Sequence, residues 1–219
     1  MPPDQLSEGP NDFPSLGITL KGIKHFIETR GGVEAIAGLK TAEVCENFVK
    51  PFTASSQESY CTIATRQDNE EIMRATVFVS HAWKHEFLDV VDALENWDAR
   101  QLAPTVFWFD VFSVNQHETT ITRDFLWWTT VFTDSVRRLG RTLLVLEWHD
   151  PKPLSRAWCV WEIASTVNTK SNFQVLMSPK NQASFFKALL SEFDSIVFKT
   201  CNVDLAKAEA FKASDREGC

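Results

Sequence analysis

The stretch Ser155-Arg156-Ala157-Trp158-Cys159-Val160-Trp161-Glu162-Ile163-Ala164 sets a single carboxylate inside an otherwise apolar helical segment. Helical spacing of three and four residues places Cys159 and Trp158 beside Glu162. Glu162 lies too far into the segment to act as a cap or to complement a helix dipole. A carboxylate walled by indole rings is partly desolvated, which perturbs its charge state and makes it a candidate for chemistry. The plainer alternative is a solvated glutamate on the outer side of a core helix, the commoner fate of Glu. Cys159 offers a second chemistry. A thiol near a helix start, with His81 on the same rim, has the makings of an activated nucleophile, although small cysteines more often only pack.

The elements that must position these groups alternate between strand and helix from residue 75 onward. Apolar runs at Ala75 to Ser80, Thr105 to Asp110, Thr142 to Leu146, Phe173 to Met177 and Ser195 to Lys199 read as five strands. Between them, Phe87, Val90, Val91, Leu94 and Trp97 share one helical face. Phe125, Trp128, Phe132 and Val136 share another, closed by Gly140. A further helix opens at Asn181, a favoured N-cap residue, and carries Phe185, Leu189 and Phe193. Continuous apolar strands separated by helices imply an α/β fold, a parallel sheet covered on both faces. In such sheets ligands bind outside the carboxyl ends of the strands, where strand order reverses. The polar residues on that rim are Ser80, His81 and Trp83, then Asp110, then His149 and Asp150, with Glu162 just beyond. His149, Asp150, Pro151 and Pro153 read as a turn and receive no chemistry. Asp110 could simply cap the next turn, and His81 could simply begin a helix.

Upstream, Leu20, Ile23, Phe26 and Ile27 have helical spacing and stop at Gly31-Gly32. A second helix is expected from Thr41 to just before Pro51. Residues 53–59 and 66–71 read as connections. The division is then a loose arm over 1–15, a helical extension over 16–71, the sheet domain over 72–203 and a C-terminal helix or tail over 204–219. The polar end from Lys212 to Cys219 reads as a boundary within something longer.

Composition excludes several classes. A formal charge of −7 argues against a nucleic-acid surface, which needs a clustered basic face. No stretch approaches the ~20 apolar residues of a membrane span. Met1-Pro2-Pro3-Asp4-Gln5 lacks the charged-then-apolar pattern of a signal peptide. The five cysteines are scattered, with no CxxC pair, which argues for reduced thiols, a cytoplasmic setting and no zinc site. The 17 Phe and 8 Trp against one Tyr favour a thick, dry core.

Taken together, these residues resemble a TIR domain (Toll/interleukin-1 receptor/resistance-protein type). Phe78-Val79-Ser80 is similar to the family's first-strand motif. Phe109-Asp110 followed by Ser113 to Thr120 is similar to its second strand and BB loop. Trp158-Cys159-Val160-Trp161-Glu162 resembles the WCxxE helix of the branch that cleaves NAD⁺. Ser80-His81-Ala82-Trp83 with Arg156-Ala157-Trp158-Cys159 resembles a TIR-like subgroup of microbial eukaryotes, in which an N-terminal extension precedes the domain. Two departures stand out: the loop lacks the glycine often found there, and Ala210-Phe211 is a poor match to the family's C-terminal Phe-Trp motif.

The resemblance implies a five-stranded flavodoxin-like sheet and NAD⁺ as substrate, with no metal and no further cofactor. Glu162 matches the catalytic glutamate. Ser80, His81, Trp83, Asp110, Trp158 and Cys159 match substrate contacts. It also implies self-association through the loop, at Ser113, Asn115, Gln116 and His117. The other function the family allows is a non-catalytic signalling scaffold that acts by association with like domains. Fold alone does not choose between these.

Overall fold

Short apolar runs separated by helices build an α/β fold around one six-stranded mixed sheet. The computed structural model describes residues 13–67, 69–117, 128–150, 154, 157–191 and 193–194, with backbone only at 128, 129, 157 and 158. The strands are β1 (Leu16–Thr19), β2 (Ile72–Arg74), β3 (Val77–Ser80), β4 (Val106–Phe109), β5 (Arg141–Val145) and β6 (Asn172–Leu176). They lie in the order β2-β1-β4-β3-β5-β6. From β4 to β6 every pair is parallel, whereas β1 runs antiparallel to both β4 and β2. The parallel run takes its strands in the chain order second, first, third, fourth, which is compatible with a flavodoxin-like arrangement. The expected fifth parallel strand, Ser195 to Lys199, and the tail over 204–219 lie outside the described residues.

Alternation along each strand divides the core in two. Val77, Val79, Phe107, Phe109, Leu143 and Val145 point into the larger cluster, under helix α6 (Phe87–Asp98) and the N-terminal segments. Phe78 and Trp108 point the other way and pack with Phe132, Val136 and Trp161. That second face is covered by α8 (Thr133–Leu139) and α9 (Ala157–Asn168). Both faces of β3, β4 and most of β5 are therefore buried, as continuous apolar strands require. β6 departs from this, since Phe173 and Val175 are exposed.

The N-terminal region is not purely helical. Helix α1 (Leu20–Thr29) forms where its spacing indicates, capped by Thr19 Oγ1, which accepts from Gly22 N. Leu16–Thr19, however, is a strand in the same sheet as the rest. Residues 13–15, assigned above to the loose arm, are also attached. Phe13 stacks on Trp108 at 4.8 Å, and the Trp108 indole N–H donates to Pro14 O at 2.7 Å. The second helix does not stop before Pro51. It runs from α3 (Thr41–Val44) through a π-helical turn (Cys45–Val49) into α4 (Lys50–Thr53). The Lys50 N–H closes that turn on Cys45 O, and Pro51, which has no N–H to place, sits in the first turn after it. Helix α5 (Tyr60–Arg66) follows, capped by Ser59. At the other end, α10 (Pro179–Ser191) opens two residues before Asn181. Ser178 supplies the cap there, accepting from Asn181 N, and Asn181 is buried inside the first turn.

Gly17 marks where β1 crowds β4. A Cβ there would lie 2.5 Å from the Phe107 carbonyl oxygen, and backbone cannot step aside cheaply. Gly17→Ala is expected to cost about 1–3 kcal/mol of folding stability, the usual range for overpacking. Chemical denaturation measures it; an unchanged midpoint would mean that β1 does not sit this tightly.

Candidate functional site at the carboxyl ends of the parallel strands

Strand order reverses at β3, since the next two strands in the chain, β4 and β5, lie on opposite sides of it. The crevice expected of such a sheet opens beyond the ends of β3 and β5. Ser80 is the last residue of β3, and by alternation it shares a face with Phe78, the face covered by α9. Glu162 lies in the second turn of α9. The two meet across a separation of 82 residues, with Ser80 Oγ donating to Glu162 Oε2 at 2.5 Å. The serine is buried and the glutamate half-buried, so the carboxylate is held at the rim between core and solvent.

The helix itself is held from below. Thr166 Oγ1 donates to Glu162 O at 2.7 Å and bonds at 2.8 Å to Thr142 Oγ1, which sits on β5. Both threonines are fully buried, so this link fixes the turn bearing Glu162 against the sheet. One turn earlier, Cys159 is 2% exposed, and its Sγ lies 3.6 Å from His81 O, the carbonyl next to Ser80. Trp161 packs against the smaller core cluster. The backbone of Trp158 lies in α9, but its side chain, with Ser155 and Arg156, lies outside the described residues.

On the β4 side of β3 the remaining rim residues form a second group. The His81 ring is buried and meets Phe109 edge-on at 4.9 Å. Its Nδ1 is 3.8 Å from Asp110 Oδ1. Asp110 Oδ2 accepts from the Trp83 indole N–H at 2.6 Å, and Oδ1 accepts from Val111 N at 2.8 Å. Asp110 therefore both opens the short helix α7 (Asp110–Ser113) and orients the indole. The substrate-site residues read from the sequence, Trp158 aside, lie on one rim in two groups, Ser80 and Cys159 on the Glu162 side and His81, Trp83 and Asp110 on the β4 side.

The loop residues assigned to self-association make hydrogen bonds within their own chain. Ser113 is buried, its Oγ accepting from Phe109 N at 3.3 Å. Asn115 Nδ2 donates to Gln57 O at 2.6 Å, with Gln57 in the left-handed region at φ 52°. Gln116 Nε2 donates to Asp110 O at 2.8 Å, and His117 Nε2 lies 2.7 Å from Thr53 Oγ1. Glu118 to Thr120 lie outside the described residues.

One group on the rim carries no assignment from the sequence. Glu147, two residues past β5, sits between two imidazoles, 4.0 Å from His85 Nε2 and 3.6 Å from His149 Nε2. Its place two residues past the end of β5 is the signal for it in the sequence. Among the described residues no group of three or more His, Cys, Asp or Glu could hold a metal ion. No helix among them is long and apolar enough to cross a membrane. Comparison with family models, with curated proteins and with solved structures finds no match to this chain.

Proposed function

We propose that this chain is a TIR-type NAD⁺ glycohydrolase in which Glu162 is the catalytic carboxylate. The observation that carries the reading is the Ser80–Glu162 hydrogen bond at the strand-order reversal, with His81 and Cys159 beside it. The bond between nicotinamide and ribose breaks with its electron pair passing to the ring nitrogen, so nicotinamide departs neutral. Positive charge develops on the ribose, as in other glycosyl transfers. A carboxylate held at the rim, with its charge directed to the sugar, stabilises that state more than the ground state. The Ser80 hydroxyl holds one carboxylate oxygen, which fixes the carboxylate whose charge the ribose meets. Water then adds to the ribosyl carbon and loses a proton, giving ADP-ribose; attack by the adenine of the same molecule gives a cyclic isomer instead. Trp83, oriented by Asp110, supplies a flat apolar wall.

Incubating the purified protein with NAD⁺ and resolving nicotinamide, ADP-ribose and cyclic products by chromatography tests the proposal. Folded protein that leaves NAD⁺ intact over hours at high concentration would refute it and favour the association-only reading.

Cys159 has a packing role in this scheme. Its sulfur is buried against the His81 carbonyl. Cys159→Ala is expected to keep most of the activity. Complete loss in a folded variant, together with a covalent adduct on Cys159 by mass spectrometry, would transfer the chemistry to the thiol.

A further inference from the structure

On the far side of α6 from the smaller core cluster, a groove of about 330 Å³ lies between α1, α2 (Gly32–Ile36) and α6. Helix α6 commits Phe87, Val90, Leu94 and Trp97 to the core, and a second stripe, Leu88, Val91, Asp92 and Glu95, faces this groove. The stripe has the spacing that one helix presents to another. Its floor is Ile27 and Val91, and Val33 stands on its wall 60% exposed. Apolar floor and charged rim are contiguous in this groove.

The rim is acidic. Glu28 borders the groove from α1 and Asp92 from α6, while Glu95 bonds Lys24 at 2.5 Å at one end. Asp92 reaches solvent, yet its carboxyl is raised from its ordinary value, first by partial burial and then by the neighbouring charges of Asp89 and Glu95, which outweigh the opposing effect of Lys24. An incoming cation would relieve that repulsion, whereas an incoming anion would add to it.

We propose that this groove docks an amphipathic helix of another protein, one with Leu- or Ile-type side chains on one face flanked by Lys or Arg. A second copy of this chain using the same face would set acid against acid. The segments before residue 13 and after residue 194 are no better suited. Asp4, Glu8 and Asp12 lie before residue 13, and after residue 194 Lys199, Lys207, Lys212 and Arg216 are matched by Asp204, Glu209, Asp215 and Glu217. A helix laid between two helices fills the gap as a third, with anchors at i, i+3, i+4 and i+7.

The test is a fluorescence-anisotropy titration with a labelled Leu/Lys peptide of about 14 residues, roughly four helical turns, patterned for a helix. A Leu/Glu peptide of the same pattern and a scrambled Leu/Lys peptide are the comparisons. The patterned cationic helix is expected to bind. Val33→Asp and Asp92→Lys should each weaken it about tenfold or more, the effect of losing one good contact at such a site. Both positions are exposed, so melting temperature should not move. Hydrogen exchange should show protection over 24–36 and 87–98 on binding. The proposal fails if the cationic helix does not bind, if the scrambled peptide binds as well, or if both variants bind like the wild type. It also fails if sedimentation shows a dimer that Val33→Asp dissociates, since the occupant would then be a second copy.

Discussion

Glu162→Gln should lower NAD⁺ cleavage by about a hundredfold or more, the usual consequence of removing one preorganised electrostatic group. Glutamine keeps the length and planarity of the side chain and one carbonyl oxygen to accept from Ser80 Oγ. What it lacks is the negative charge that, in the proposed mechanism, faces the ribosyl cation. The variant should therefore melt at nearly the wild-type temperature while its turnover collapses, a separation that a merely structural role would not produce. The loss belongs in kcat more than in KM, because the charge on the sugar exists only as the bond breaks. A folded Glu162→Gln protein that turns over NAD⁺ at the wild-type rate would remove Glu162 from the chemistry.

Much of the arrangement around Glu162 was legible before any coordinates, and the reason is local. The four parallel strands announce themselves as apolar runs because both of their faces are buried, and rim residues follow from where such runs end. That logic found Ser80, His81, Trp83 and Asp110 as a set, although nothing in the sequence tells that Trp83 bonds Asp110 or that Ser80 bonds Glu162. Those pairings depend on register between strands 30 and more residues apart. Trp161 shows the opposite limit. Its spacing from Glu162 fits a wall as well as a core stripe, and its packing against the cluster of Phe78, Trp108 and Phe132 is visible only in the fold.

β1 was illegible for a physical reason. Leu16–Thr19 is four residues long, contains a glycine and has no intrinsic preference strong enough to mark it. Its extended state comes from the edges it pairs with, Val106 and Phe107 on one side and Ile72 to Arg74 on the other. Gly17, needed for the approach of Phe107, was the one available signal. The π turn at Cys45–Val49 is similar, since Pro51 normally ends a helix and is tolerated here only because the preceding ladder shifts by one residue. Burial around that turn also pushes the Cys45 thiol up to about 12, which makes it an unreactive packing group.

These N-terminal elements lead to the second large expected effect. A chain cut to begin at residue 72, the start of the domain read from the sequence, should fail to fold cooperatively. Residues 16–71 share the larger core with the sheet: Ile18, Phe26, Val44 and Cys61 are wholly buried in it beside Phe87, Phe109 and Phe112. Phe26 alone meets Phe112 at 5.0 Å, Tyr60 at 5.4 Å and Phe87 at 6.4 Å. Removing one such aromatic typically costs about 3–5 kcal/mol. Net stability of a domain is only about 5–15 kcal/mol, so the loss of several exceeds what the remainder can absorb. The cut also strips β1 from β4, leaving that strand an unpaired apolar edge prone to aggregation. Circular dichroism with thermal melting reads the outcome, and Phe26→Ala in the full chain, lowered by about 3–5 kcal/mol, provides the graded companion measurement. A truncated chain with a sharp melt would show that the sheet carries its own core and that the N-terminal segment is a separable module.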